Sequence, residues 1–355
     1  MKSPLRGLVR WEALLVVLIV VVAIVNSRLS PFFLDLNNLL RTTSDFLEIG
    51  IMVLPMVFII ITGNIDLSIA SILGLSASLM GWLYMGGWNI WLAVAVALVV
   101  SVLAGLVNGV LIAKLRLPAL AVTIGTLSFY RGLAYVLLGD QAARGYPNEF
   151  TYLGQGTIGS TQVPFALVLF AVLAVAFGLV LHKTTFGRYL YAIGNNEAAA
   201  RYSGVPVTRI KTIIFVLSAI MAALAGFVLA ARFGSTRPDI GTGLELTVIT
   251  ITVLGGVSIF GGSGTMVGAV LALVLVGILR FGMGLINIQG QVQDIIIGLL
   301  LILSILLPGL GSRISFALPD VLRRREGALR TAGAVAVVLV FGIFFFWSRG
   351  LILNR

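Results

Sequence analysis

Few side chains in this sequence could make or break covalent bonds. It has no cysteine and a single histidine, His182. Thiol nucleophiles, disulfides and iron–sulfur clusters are therefore excluded, and so is a multi-histidine metal centre. The 13 acidic residues are scattered rather than clustered as a hydrolytic site requires. No Gly-x-x-x-x-Gly-Lys-[Ser/Thr] phosphate loop occurs. The expectation is no catalytic residue, no metal ligand and no cofactor bound by this chain. What remains is hydrogen bonding and charge set inside apolar stretches, at Asn64, Asp66, Ser68, Asn108, Thr123, Thr126, Arg131, Asn287 and Gln291. In hydrocarbon such groups are costly unless paired, so each either ties helices together or meets a polar solute in transit.

These candidates divide by their neighbours. Asp66 either caps a helix beginning near Leu67 or lines a gate. Arg131 snorkels outward, pairs with a carboxylate or lines the pathway, and Asp45, Glu48, Glu245 and Asp294, near outer helix ends, are candidate partners for it or for Arg280, or candidates for contact with a binding protein. Asn108, Thr123, Thr126, Asn287 and Gln291 either bind the solute or join helices, and joining is expected for most.

The elements that position them follow from composition. Hydrophobic residues make up 59% of the 355-residue chain and charged residues 10%, against about 25% charged in soluble domains. Apolar runs of roughly 20 residues recur, the length that crosses about 30 Å of hydrocarbon. Approximate spans are 11–28, 46–62, 66–86, 90–113, 118–138, 163–182, 212–232, 245–259, 265–284, 291–308 and 331–347. The eighth is short and glycine-rich, which marks a span broken or buried inside the bundle. The first follows Lys2, Arg6 and Arg10 but no small-residue cleavage site, so it reads as a retained helix. With the N-terminus inside, inner loops hold 15 of the 24 Lys and Arg residues, as inward bias of positive charge requires. The net charge of +11 then points to anionic lipid rather than nucleic acid. Trp82, Trp88 and Trp91 read as interfacial anchors, and Gly105 with Gly109 as a close helix contact. Glycine-rich turns after Ile61 and Leu254, each followed by a small-residue helix, fit two related halves or unrelated turns.

The inner loop, residues 183–211, has helical patterning of its own. Asn195 or Asn196 is an N-cap, Glu197 sits in the first turn, three alanines follow, and Gly204 with Pro206 ends the helix. Such a helix is either an amphipathic connector or a small-faced docking element.

The Glu197-Ala198-Ala199…Gly204 pattern resembles the coupling-helix motif of permease subunits in bacterial ATP-binding-cassette importers. Segments 62–71, 117–127, 187–206 and 254–268 resemble, in order and spacing, the ribose/xylose/rhamnose/autoinducer-2 branch, across roughly residues 40–310. Residues 43–50 with 233–237 most resemble its rhamnose and autoinducer-2 members. The spacing from Glu197 to Gly204 is one residue longer than the general motif, and its Ile-x-Leu-Pro tail is missing. Asn64 replaces a common second glycine, and the last span lies beyond the usual ten-helix core.

The resemblance implies an all-α integral membrane bundle of about 10–11 transmembrane helices in the bacterial inner membrane. Residues 1–310 would form the permease domain, and residues 311–355 a basic cytoplasmic segment with an extra C-terminal helix. It implies pairing with a second, identical or homologous permease subunit, and ATP and Mg used by a separate cytoplasmic ATP-binding subunit docked at Glu197, Ala198, Ala199 and Gly204. It also implies a periplasmic or extracellular sugar-binding protein that delivers a monosaccharide. An ion-gradient-coupled secondary transporter is the alternative, and it would need a relay of embedded acids that the sequence does not display.

Overall fold

A computed structural model of the chain describes residues 11–300 and residue 302. The expected span 331–347, the basic segment 311–355 and the cationic residues Lys2, Arg6 and Arg10 lie outside them. The described part is a helical bundle with one two-stranded ribbon.

The chain enters as α1 (Trp11–Leu29) and turns into α2 (Leu36–Thr43), which Asp35 caps through the backbone N–H groups of Asn37 and Asn38. A 52° bend leads to α3 (Leu47–Ile61). After a polar turn come α4 (Ile69–Met85) and α5 (Ile90–Gly109), which winds into a π turn at Val110–Lys114. Next is α6 (Ala119–Leu138). The long connection beyond it holds β1 (Ala143–Arg144) and α7 (Asn148–Gln155), and it leads to α8 (Phe165–Lys183). The loop then forms α9 (Thr185–Asn195) and α10 (Glu197–Tyr202). Following it are α11 (Val207–Phe233), β2 (Ser235–Thr236), α12 (Leu244–Leu254), α13 (Met266–Leu285) and α14 (Gly290–Leu300).

Nine of the eleven expected spans coincide with helices and a tenth, 291–308, does so in its described residues, but their lengths differ in kind. Among the described residues, six helices are long and apolar enough to cross a membrane, or seven if α2 and α3 count as one bent span. The others are shorter. With 11 residues, α12 reaches only about 16 Å at 1.5 Å per residue, so it cannot cross alone. Its last eight residues, Thr247 through Leu254, are buried without interruption. A half-length helix survives in a membrane only where protein, not lipid, surrounds its open ends.

The centre of the bundle is α11, packed on α3, α4, α5 and α7. Close approach to α5 depends on the glycine pair. A Cβ at Gly105 would lie 2.6 Å from the Ala219 Cβ and 2.7 Å from the Phe215 carbonyl oxygen, and one at Gly109 would lie 2.9 Å from the Thr212 Cα. The small-xxx-small spacing therefore joins α5 to α11, as the sequence predicts. Across the bundle, α1 packs along α13 and is fastened at both ends. The Trp11 indole donates to the Leu254 carbonyl at 2.8 Å, and the Asn26 amide donates to the Ile278 carbonyl at 3.1 Å.

Gly105→Leu is expected to force α5 from α11 and to lower stability by about 1–3 kcal/mol. The measurement is the thermal unfolding midpoint of detergent-purified protein, read by tryptophan fluorescence. An unchanged midpoint would show that the helices separate without loss.

Candidate functional site

The polar residues singled out from sequence fall into three groups. The first surrounds Asp66, which is fully buried in the turn between α3 and α4. One carboxylate oxygen accepts the Ser68 backbone N–H at 2.9 Å and the Ser68 hydroxyl at 2.6 Å; the other accepts the Ser218 hydroxyl of α11 at 2.8 Å. Asn108 of α5 donates its amide to the Ser68 hydroxyl at 2.8 Å, and Tyr130 of α6 donates to the Ala104 carbonyl at 3.0 Å beside it. The Thr123 hydroxyl lies 2.9 Å from the Ala119 carbonyl and 3.3 Å from that of Ile65. Thr126 bonds within its own helix, to the Val122 carbonyl at 3.1 Å. Asp66 thus receives a backbone N–H just ahead of α4 and ties the turn to α11, while Asn108 and Thr123 tie α5 and α6 to the same turn. The turn's irregular backbone is held by side chains where lipid supplies no bonds.

Asn64 bonds locally to the Thr62 carbonyl and hydroxyl at 3.0 and 2.9 Å. It also borders a cavity of about 410 Å³ whose wall includes Arg116, Pro118, Glu197 and Lys211. Asn287, in the connection from α13 to α14, and Gln291, in the first turn of α14, stand apart and are exposed. A second cavity, about 540 Å³, lies at the far ends of α4 and α6 and is walled by Trp82, Trp88, Leu137 and Gln141.

The second group is the α9–α10 loop. The sequence predicts one short helix; the chain forms two, because the extended backbone of Asn196 breaks the run and its side chain caps α10 through the Ala199 N–H at 2.9 Å. Gly204 (φ +83°) closes α10: its N–H reaches the Arg201 carbonyl, and that of Val205 reaches Ala200, a Schellman ending that favours glycine. Ala198 and Ala199 are exposed and Ala200 is buried, so α10 presents a small-residue face. Glu197 fastens that helix to α11, accepting from Lys211 Nζ at 2.6 Å and Arg201 Nη2 at 3.0 Å. Partial burial pushes the Glu197 carboxyl up, but Lys211 and Arg201 outweigh it and hold the group below the ordinary carboxylate range.

Behind α10 the loop is wedged into the bundle. A Cβ at Gly194 would collide with the Ile61 carbonyl and the Gly262 N–H. The Gly262 N–H itself donates to the Ile61 carbonyl at 2.8 Å, and the Tyr191 hydroxyl donates to the Gly264 carbonyl at 2.8 Å. The two glycine-rich turns noted in sequence, after α3 and after α12, therefore meet each other and α9 at one place.

The third group is cationic. Arg131 pairs with no carboxylate among the described residues. Its guanidinium donates to the backbone carbonyls of Pro238 and Ile240 at 2.8 Å each and of Ala70 at 2.9 Å, and a Cβ at Gly74 would overlap it. Asp45 and Glu48, expected beside Arg131 or Arg280, instead share Arg232 of α11 at 2.5 and 2.8 Å. Asp294 does pair with Arg280, at 2.9 Å. Sequence reading passed over Ser218, Arg232, Tyr130 and Gly194. Only Arg232 left a trace, as a cation closing a long apolar helix; the others look like ordinary helix residues.

Comparison with known proteins places this arrangement. Residues 38–305 match the family model described as branched-chain amino acid transport system / permease component. The chain is similar to the autoinducer 2 import system permease protein LsrD of Klebsiella pneumoniae, 39% identical over 302 residues that span 83% of this chain and 90% of the relative. The proteins of the same name from Enterobacter sp. (38% identical, 83% and 92% covered) and Escherichia coli K12 (37%, 82% and 90%) are similar too. No solved structure matches.

Two outcomes test the geometry. Asp66→Ala is expected to lower stability by about 3 kcal/mol, and Ser218→Ala by about 1 kcal/mol, because the first orphans three donors and the second one acceptor; the readout is the unfolding midpoint in detergent. An Asp66→Ala protein of normal stability that no longer transports would instead place the carboxylate in the solute's path. The Glu197 tether, by its lowered titration, should hold from neutral pH down to the ordinary value of 4.5 and loosen only below it. Hydrogen exchange of the α10 amides against pH measures this, and loosening between pH 7 and 5 would contradict it.

Proposed function

Since the chain belongs to the branched-chain amino acid transport system / permease component family, we propose that it is the membrane-spanning subunit of a binding-protein-dependent ATP-binding-cassette importer for an autoinducer-2-like monosaccharide derivative. Identity of 37–39% along about nine-tenths of the relatives' length supports that solute over ribose and rhamnose.

The observation that carries the coupling half of this reading is the α9–α10 loop. It offers an exposed Ala198-Ala199 face backed by the Glu197–Lys211 pair, and through Gly194 it bears on both glycine-rich turns. A cytoplasmic ATP-binding subunit that grips α10 would move the ends of α3 and α12 together. ATP and Mg would be used in that subunit, and hydrolysis would alternate which face of the permease pair is open by changing the relative stability of two states. The N-terminal end of α1 lies on the same face as the loop, because Trp11 bonds the end of α12. Placing both in the cytoplasm satisfies the inward bias of Lys and Arg. A second permease subunit, identical or homologous, would complete the pathway, and a periplasmic sugar-binding protein would deliver solute at the opposite face.

An ion-coupled carrier is the weaker reading. The hydrogen-bond partners of Asp66 are hydroxyls and one backbone N–H, which form no relay of titratable groups.

Glu197→Lys reverses the anchor charge, and Gly204→Val puts a branched residue at φ +83°. Both should reduce solute uptake at least about tenfold while membrane levels stay unchanged, measured in cells with all partner subunits present and autoinducer-2, ribose or rhamnose as competing solutes. Normal uptake in both variants would remove the coupling role. Uptake abolished by an uncoupler at constant ATP would favour the ion-coupled reading.

A further inference from the structure

Two large aromatic side chains stand bare on the face that carries the α9–α10 loop. Tyr202, the last residue of α10, is 93% exposed, and Phe260, in the turn between α12 and α13, is 87% exposed. Tyr202 belongs to the loop already read as a docking element. Phe260 does not; it comes from the other half of the chain and from a turn whose other large apolar residues, Val257 and Ile259, are buried or partly buried.

That turn is nonetheless continuous with the loop. Gly261 abuts Gly194, since a Cβ on it would lie 3.1 Å from the Gly194 carbonyl oxygen. Gly262 abuts Asn195, whose side-chain oxygen would lie 2.6 Å from a Cβ there. Asn195 directly precedes Asn196, the cap of α10. The backbone carrying Phe260 is thus pressed against the junction of α9 and α10, and its side chain is left outside. A phenyl ring held in the open by a turn fixed on both sides has the form of an interface anchor: large, apolar and already ordered.

We propose that Phe260 is a second anchor for the ATP-binding subunit, entering an apolar socket on that soluble partner beside the one that receives α10. This rests on the docking role of α10 proposed above and extends it to the second half of the chain. The competing occupant is the lipid headgroup layer. Aromatic residues also settle in that layer, but this turn is pressed against the α9–α10 junction through Gly261 and Gly262, which sets Phe260 beside the surface proposed to receive α10 and favours the protein partner. The consequence is mechanical. A partner gripping Tyr202 and Phe260 together would hold α10 and the α12–α13 turn as one body.

The natural chain has no cysteine, so single reporters can be placed in it directly. Tyr202→Cys, Phe260→Cys and, on the opposite face, Trp88→Cys would each carry a benzophenone maleimide in the assembled transporter, in membranes that import solute. Photolysis is expected to join the ATP-binding subunit, identified by its peptides, to positions 202 and 260 but not 88. Capture by 202 with only lipid or nothing at 260 would overturn the inference and leave the coupling role standing. No capture at either position, in membranes that still import, would overturn both. As a second measure, Phe260→Ser should weaken ATP-binding-subunit affinity for the permease roughly tenfold with an unchanged unfolding midpoint, and Phe260→Leu should restore most of it. Unchanged affinity in Phe260→Ser would also refute the anchor.

Discussion

Hydrocarbon offers no hydrogen bonds, so each interruption of a helix inside the bundle must be repaired by the protein itself. The chain interrupts its helices at two places that matter, after α3 and after α12, and repairs them differently. The first turn is held from within, by Asp66, Ser68, Asn108 and Ser218. The second is held from outside, by the Trp11 indole on the Leu254 carbonyl and by Gly262 on Ile61. Glycines let the backbones meet; the polar side chains supply what lipid withholds.

A consequence is that the two turns and α9 act as neighbours across large distances in sequence. Ile61, Gly194 and Gly262 touch backbone to backbone, with no long side chain between them to absorb a displacement. Packed interiors of this kind pass on small shifts because they resist compression. The Glu197–Lys211 pair adds a polar tether from α10 to α11, the helix that packs on α3, α4, α5 and α7. A force applied at the surface of α10 therefore has a short route to the centre of the bundle.

The opposite face is tied by charge. Arg232 holds Asp45 and Glu48, joining the α2–α3 bend to the end of α11, and Arg131 fastens α6 to backbone carbonyls of α4 and of the segment before α12. The two stretches that most resemble the rhamnose and autoinducer-2 permeases, residues 43–50 and 233–237, adjoin the first of these clusters. Outside the family-matched segment, α1 lies along α13 as an added brace.

Much of this was legible in the residues alone. Long uncharged runs dictate membrane helices, because nothing else satisfies their backbone in lipid; Asn196 and Gly204 mark the ends of α10, because capping is local; Gly105 and Gly109 mark a close contact, because only small residues allow one. The short, glycine-rich eighth span already marked α12 as incomplete, whereas tertiary structure alone decided which acid meets which arginine, and that Gly194 sits against Ile61 and Gly262. Those outcomes depend on residues far apart in the chain: a carboxylate at position 45 carries no mark of the guanidinium at 232, and a glycine needed for a close approach looks like any other until its neighbour arrives.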